Sequence, residues 1–318
     1  MIIPEYTDLA EKETAFGDHY KRIDSIEELK KFLASSKTLR KNIFRGVCEA
    51  RFKNYTSAQR MYMVHDLRQT ASIEWLIQKQ IESIKKEHEN LLGKYYKSLG
   101  IALNDFLYLG IAQHYGGISP FLDFTQRFKT ALFFMADGAI FSPHGINEIG
   151  NYSSLYFFDV SNKAHINFNS VLKKICETLI DRIKEIVADN KQRQLTNDNI
   201  VDLIARFDNY TGFDENLNIV VPYNKKTVNI RVEGLRKKVK GVFSISNLNI
   251  VAQKGCFVFY MPKDQFSPLE TPLDCVDIHK SLIPYVKEYI KLKKSDIYPD
   301  EYELVKDSYI KALRNILN

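Results

Sequence analysis

Residues 112–125 read Ala-Gln-His-Tyr-Gly-Gly-Ile-Ser-Pro-Phe-Leu-Asp-Phe-Thr. The spacing predicts a helix over about 103–115 that ends at the following glycine pair, because glycine is favoured just beyond helix ends. A second, strongly apolar helix is predicted over 130–136. Between the two helices Asp123 has apolar neighbours, so its carboxylate needs polar partners if it is buried.

Outside this stretch, short strand signals and helical patterns share the chain, which is typical of the α+β class. Helices are predicted over 24–36, 66–98, 280–293 and 300–317, and strands over 42–47, 154–160, 217–222, 227–232 and 250–260. The last strand is interrupted at Lys254 and Gly255, which indicates a turn or a bulge. We therefore expect a small, mostly antiparallel sheet core with many surrounding helices.

The composition narrows the class of protein. Hydrophobic residues make up 45% of the 318 residues and charged residues 26%, which excludes wholesale disorder. The net charge of +6 permits contact with nucleic acid but does not require it. The four cysteines lack the close spacing of a zinc site. With an acidic N-terminus and no apolar run of membrane-spanning length, we expect a soluble cytoplasmic protein with no metal and no membrane partner.

Four segments together resemble the FRG domain family, a bacterial family named for a Phe-Arg-Gly motif. They are Ile43–Gly46, residues 112–134 around the quoted stretch, Ile250–Phe257 and Ile297–Asp300. The resemblance extends from about residue 40 to the C-terminus. It implies an N-terminal helical segment at 1–37, an FRG-type core domain at 38–262 with a helical insertion at about 163–210, and C-terminal helices at 263–318 packed on the core.

The chain departs from the family pattern at several positions. Residues 118–120 stand where the family has Pro-Thr-Arg, Asn249 stands where it has an arginine, and Phe124 replaces a tryptophan. Two arginines of the family are therefore missing. Arg45 remains as the main candidate for binding an anion, because a guanidinium offers a rigid fork of donors suited to phosphate or carboxylate. The alternative is a structural arginine that pairs with Asp123 across the core.

The candidate site is drawn from these segments. Candidate catalytic residues are Arg45, Asp123 and Gln253, and candidate ligand-binding residues are Gly46, Gln113, His114, Tyr115 and Thr125. We expect the side chains of Arg45, His114, Asp123 and Gln253 to converge on one cleft. We also expect a buried Asp123 whose replacement by alanine destabilises the fold by roughly 3 kcal/mol or more, since it would leave a cation unpaired.

The layout is similar to ADP-ribosyltransferase-like folds, which implies a toxin or phage-defence effector that acts on NAD or another nucleotide-like ligand. On this hypothesis Arg45 binds NAD as the substrate, and Gln253 stands where a catalytic glutamate is usual. Glu233 and Glu270 fit no catalytic pattern, so the sequence leaves enzymatic activity open. The alternatives are a non-catalytic binding module for a nucleotide-like or anionic small molecule and, from charge alone, a nucleic-acid interaction protein.

Overall fold

The computed structural model describes residues 2–98, 105–114, 116–142, 147–159, 166–167, 219–222, 226–230, 239–243, 248–262, 264–270 and 273–298. Three predictions lie outside these residues: most of the helical insertion at 163–210, the last helix at 300–317 and the position of Tyr115. Among the described helices, none is long and apolar enough to cross a lipid bilayer.

Nine helices and ten strands are described. The helices are α1 (Leu9–Phe16), α2 (Ile26–Ser35), α3 (Ser57–Val64), α4 (Ile73–Ser98), α5 (Asp105–His114), α6 (Phe128–Ala136), α7 (Leu248–Gln253), α8 (Ile283–Ile290) and α9 (Lys294–Ile297). The strands are β1 (Tyr20–Ile23), β2 (Asn42–Val47), β3 (Phe121–Thr125), β4 (Tyr152–Asp159), β5 (Ile166–Asn167), β6 (Ile219–Pro222), β7 (Lys226–Ile230), β8 (Val239–Phe243), β9 (Gly255–Phe259) and β10 (Asp274–His279).

Eight of these strands form one sheet in the order β1-β10-β4-β2-β3-β9-β6-β5, and β7 and β8 form a separate hairpin. Only the pairs β1–β10 and β5–β6 of the described sheet are parallel, and its other neighbours run antiparallel. The predicted α+β class and the mostly antiparallel sheet are therefore confirmed.

The sheet has a weak point between its two central strands. Strand β2 pairs with β4 over its whole length, and β3 pairs with β9 in the same way. Pairing between β2 and β3, by contrast, is confined in these described strands to Phe44 opposite Thr125. We call this junction the seam. It divides the sheet into a half that contains β2 and a half that contains β3.

Both faces of the sheet are covered, because alternate side chains of a strand point to opposite faces. Phe44 of β2 belongs to a core formed with α2, α6 and α8. Its neighbour Ile43 belongs to a second core, which contains residues of α1, β3 and β9. In β4 the same alternation separates Phe157 from Tyr156. The seam therefore lies between two layers of apolar packing.

The predicted helix over 24–36 is confirmed as α2. Ser25 and Glu28 form a capping box, in which each side chain bonds the other residue's backbone N–H and satisfies free donors of the first turn. The predicted start of the long helix at residue 66 is wrong. Asp66 has a left-handed backbone with φ of 49°, and α4 begins only after the Ser72 hydroxyl accepts a hydrogen bond from the Trp75 amide.

The continuous strand predicted over 250–260 is also wrong. The structure forms helix α7 up to Gln253, a turn at Lys254 with φ of 46°, and then strand β9. A short apolar run fits a helix and a strand equally well, so the sequence pattern alone does not distinguish them. The predicted interruption at Lys254 and Gly255 is the point where the two elements join.

The segments on either side of the predicted core domain contribute strands to the sheet. Strand β1 comes from the segment 1–37 and pairs with β10, which comes from the segment 263–318. A fully buried ion pair reinforces this arrangement: Lys12 Nζ lies 2.8 Å from Asp277 Oδ1 and also donates hydrogen bonds to the Ala50 carbonyl and the Ser154 hydroxyl. The predicted domain boundaries remain predictions.

Candidate functional site

A cavity of about 390 Å³ lies beside the seam. Residues of β2, β3 and β9 line it together with residues of α3, α5, α6 and α7. All the candidate residues that the structure describes are among them: Arg45, Gly46, Gln113, His114, Asp123, Thr125 and Gln253. The structure thus brings residues from three distant stretches of sequence to one cavity, and it gives them different environments.

Arg45 bridges the seam from β2. Its Nε donates a hydrogen bond of 3.1 Å to Asn54 Oδ1, and its Nη1 donates one of 3.0 Å to the backbone carbonyl of Asp123. No ion pair joins the two side chains in the described part of the chain, and the described hydrogen-bond acceptors of Arg45 are neutral oxygens. Burial lowers the pKa of Arg45, and the nearby Asp123 carboxylate opposes that effect. Its other N–H groups make no hydrogen bond with the residues that the structure describes.

Asp123 is exposed at the centre of β3, where its neighbours on both sides are buried. Its Oδ2 accepts a hydrogen bond of 2.6 Å from Gln113 Nε2. The Gln113 carbonyl oxygen in turn accepts a hydrogen bond of 2.7 Å from the Ser119 hydroxyl, which fixes which end of the amide faces Asp123. The expectation of a buried Asp123 is therefore wrong, because this side of the strand faces the open cavity instead of the core. The expected destabilisation of Asp123→Ala loses its basis.

His114 occupies the last position of α5 and is half-buried in the cavity wall. Burial lowers the pKa of His114, and the negative charge of Asp123 opposes part of the shift. The imidazole is therefore neutral at pH 7. In this state it contributes a neutral donor or acceptor to the cavity and leaves the positive charge to arginine.

Two candidates near the cavity floor hold the backbone together. The Thr125 hydroxyl donates a 2.7 Å hydrogen bond to the Gln253 carbonyl and accepts one of 3.0 Å from the Arg127 amide. The Gln253 side-chain amide donates to the Ile297 carbonyl at 3.2 Å. These bonds join the end of β3 to α7 and α7 to α9. The Thr125 hydroxyl and the Gln253 side-chain amide therefore both form hydrogen bonds within the protein.

Gly46 serves the packing of a helix against the sheet. A Cβ atom at this position would overlap the carbonyl oxygen of Ala131 and lie 2.6 Å from the amide nitrogen of Met135. Both atoms belong to the backbone of α6, so only a residue without a side chain lets this helix approach β2. The glycine of the Phe-Arg-Gly motif thus places Arg45 beside a closely packed helix.

Sequence reasoning missed three residues of the cavity region. Arg60 of α3 and the ring of Tyr298 line the cavity. Asn54, which is 1% exposed, orients Arg45 and lies in the loop between β2 and α3. Tyr298 falls in the fourth segment of the family resemblance, and that segment was the available signal for it. Arg60 had none, since one charged residue on a short helix usually faces solvent.

The arrangement can bind an anion and hold hydroxyl groups. Among the described residues that line it, the charged ones are the two arginines Arg45 and Arg60 and the carboxylate of Asp123. Partly exposed rings of Phe52, Phe134 and Tyr298 provide flat apolar surface. Within the described residues, no three His, Cys, Asp or Glu side chains are grouped to hold a metal ion.

Comparison with protein families gives one match. Residues 40–140 match the family model of the FRG domain. This matched region extends from β2 to α6 and contains Arg45, Arg60, Gln113, His114 and Asp123. No curated protein and no solved structure matches the chain.

Proposed function

We propose that the cavity binds a phosphate-bearing, nucleotide-like ligand, with NAD as the first candidate. Residues 40–140, which match the FRG domain, contain most of the described polar residues of the cavity. One observation carries the proposal. The guanidinium of Arg45 lines the cavity with its charge held by neutral oxygens and with N–H groups to spare among the described contacts. A phosphate oxygen satisfies such a group through charge-assisted hydrogen bonds.

The other features of the cavity fit the remaining parts of a nucleotide. Its volume of about 390 Å³ falls within the usual range of small-molecule sites. The rings of Phe52 and Tyr298 offer faces on which a base can stack. Asp123, held by Gln113, presents carboxylate oxygens that can accept hydrogen bonds from ribose hydroxyls. Asp123 would repel a phosphate placed directly against it, so the proposal places the ribose hydroxyls, and not a phosphate, beside this carboxylate.

A second candidate function is cleavage of NAD in an ADP-ribosyltransferase-like reaction, and the exposed carboxylate of Asp123 favours it. In that reaction the bond between ribose C1′ and the nicotinamide nitrogen breaks, and nicotinamide leaves with the electron pair. The positive charge that develops on the ribose needs a nearby anion. Asp123 can supply it in place of the missing glutamate, whereas the Gln253 amide is engaged with Ile297. A new bond then forms from C1′ to a nucleophile, which loses a proton.

Such an activity would suit a toxin or phage-defence effector, which acts by consuming NAD or by modifying a target. The decisive experiment titrates the protein with NAD and ADP-ribose by calorimetry and follows nicotinamide release in parallel, with and without cell extract. We expect Arg45→Gln to weaken binding by about 10- to 100-fold, which corresponds to the loss of charge-assisted hydrogen bonds. We expect Asp123→Asn to keep most of the binding and to abolish any nicotinamide release.

Arg68→Gln is the matched control, because Arg68 is exposed, pairs with Asp66 and does not line the cavity. Thermal melts verify that each variant is folded. Binding without nicotinamide release would establish the binding module instead of the enzyme. A wild-type protein that binds neither NAD nor ADP-ribose would refute the proposed function.

A further inference from the structure

We infer that Arg60 is a second phosphate-binding residue, and that Arg45 and Arg60 together form a clamp for a diphosphate group. This inference rests on the proposed function and specifies its ligand as a nucleoside diphosphate or a diphosphate-linked dinucleotide. Arg45 reaches the cavity from a strand and Arg60 from a helix, so the two guanidinium groups approach the hollow from different elements. The family pattern quoted above does not contain Arg60.

Arg60 differs from three other arginines of the surface. Arg22, Arg51 and Arg68 each lie beside a carboxylate within ion-pair distance. The guanidinium of Arg60 makes no hydrogen bond or ion pair with any residue in the described ranges, although it lines a cavity that contains Asp123. It is therefore a cation at the site whose hydrogen-bonding capacity is not used by the described residues.

The helix that carries Arg60 is fixed to the rim of the cavity. Thr56 and Gln59 form a capping box at the start of α3. The Gln59 amide also donates hydrogen bonds of 3.1 Å to the Gln265 carbonyl and 2.9 Å to the Ser267 carbonyl. The Ala58 amide donates to the Ser119 carbonyl at 3.1 Å, which ties α3 to the turn before β3. An arginine on such a support is positioned before a ligand arrives, which lowers the entropy cost of binding.

The electrostatics of the cavity favour an anion with more than one negative charge. Burial lowers the pKa of Arg60, and the positive charge of Arg45 lowers it further, with Asp123 acting in the opposite direction. The positive charges of the two arginines therefore act against each other at the cavity. A single carboxylate cannot neutralise both cations, and His114 is neutral there. A diphosphate between the guanidinium groups would remove the repulsion and provide oxygens for both.

Two phosphates also match the separate origins of the two arginines. Arg45 uses its Nε and Nη1 in two described hydrogen bonds, so only the rest of its guanidinium is available. Arg60 comes from a different element, α3, and no described side-chain contact occupies its guanidinium. Each can therefore bind one phosphate in the side-on manner typical of arginine. A lone phosphate would be held mainly by one of them.

The test is calorimetric titration of the full chain with adenosine, AMP, ADP and inorganic pyrophosphate. For Arg60→Gln we expect the affinity for ADP and pyrophosphate to fall by about 10- to 100-fold, the affinity for AMP to fall clearly less, and that for adenosine to stay unchanged. Arg60→Lys keeps the charge but loses the fork, so it should recover only part of the loss. Arg68→Gln should behave like the wild type.

The outcomes separate the two proposals. Wild-type binding of ADP with equal affinities in Arg60→Gln and wild type would overturn the clamp while leaving the proposed function intact. Equal losses for AMP and ADP would also overturn it, since Arg60 would then act only through general charge. Binding of pyrophosphate but of no nucleotide would support the clamp and overturn the nucleotide assignment. Arg60 makes no described side-chain hydrogen bond or ion pair that its replacement would break, so the variant should fold, and a thermal melt verifies this.

Discussion

The glycine of the Phe-Arg-Gly motif permits a quantitative prediction. Replacing Gly46 by alanine puts a methyl group on the carbonyl oxygen of Ala131 and 2.6 Å from the Met135 amide nitrogen. These backbone atoms cannot rotate away as a side chain can, so α6 must move off β2. Overpacking of a core costs about 1–3 kcal/mol when side chains can adjust, so we expect about 3 kcal/mol or more here. At about 2–4 °C per kcal/mol in large domains, the Tm should fall by about 6–12 °C.

Chemical and thermal unfolding measure this change, with Gly150→Ala as the matched control. A Cβ atom at Gly150 would meet nothing within 4 Å, so its replacement should alter the free energy of unfolding by less than about 0.5 kcal/mol. We also expect Gly46→Ala to weaken ligand binding, since β2 carries Arg45. If Gly46→Ala unfolds within a few tenths of a kcal/mol of wild type, the argument that this glycine serves helix packing is refuted.

Two further predictions follow from other buried groups. Lys12→Met should lower the free energy of unfolding by about 3–5 kcal/mol, because it leaves Asp277 buried without its cation, and the additional change Asp277→Asn should restore part of the loss. Urea unfolding measures both changes, with Lys30→Met as the control because Lys30 is exposed. A small effect of Lys12→Met would contradict the ion-pair argument. His114 should make stability depend on pH: its folded pKa is lowered below 6.5, so its contribution is complete above pH 6.5 and is lost as the pH falls towards the folded pKa. Urea unfolding between about pH 5 and 8 should show that the free energy of unfolding declines less with falling pH in His114→Gln than in the wild type. The same decline in both proteins would contradict this role of His114.

Local patterns in the sequence predicted the elements whose contacts are local. The capping signals of α2, the strand around Arg45 and the apolar helix α6 all agree with the structure. Strands β1 and β10 were not predicted, and neither follows a simple alternation. Each is short, and they pair with each other across about 250 residues of chain. Such pairing is specified by tertiary packing, which a local pattern does not record.

For the candidate site, the sequence predicted which segments contribute but not what each side chain does. Seven described candidate residues from the quoted motifs line the cavity. The exposure of Asp123 depends on which face of β3 meets the cavity, and the engagement of Gln253 depends on α9, which lies more than 40 residues away in sequence. Arg60 reaches the cavity through the packing of α3, which no local sequence pattern indicates. The chain lacks two arginines of the family pattern, and Arg60 brings an arginine to the cavity from another position.

The extent of the family match has a practical consequence that follows from the pairing of the central strands. Residues 40–140 include β2 and β3 but neither of the strands, β4 and β9, that pair with them along their length. Excised as a fragment, this region would present two rows of unsatisfied backbone donors and acceptors and would be prone to aggregate. The matched region therefore contains the side chains of the cavity but not the strands that complete its sheet. A recombinant protein for study should include β4 and β9 as well.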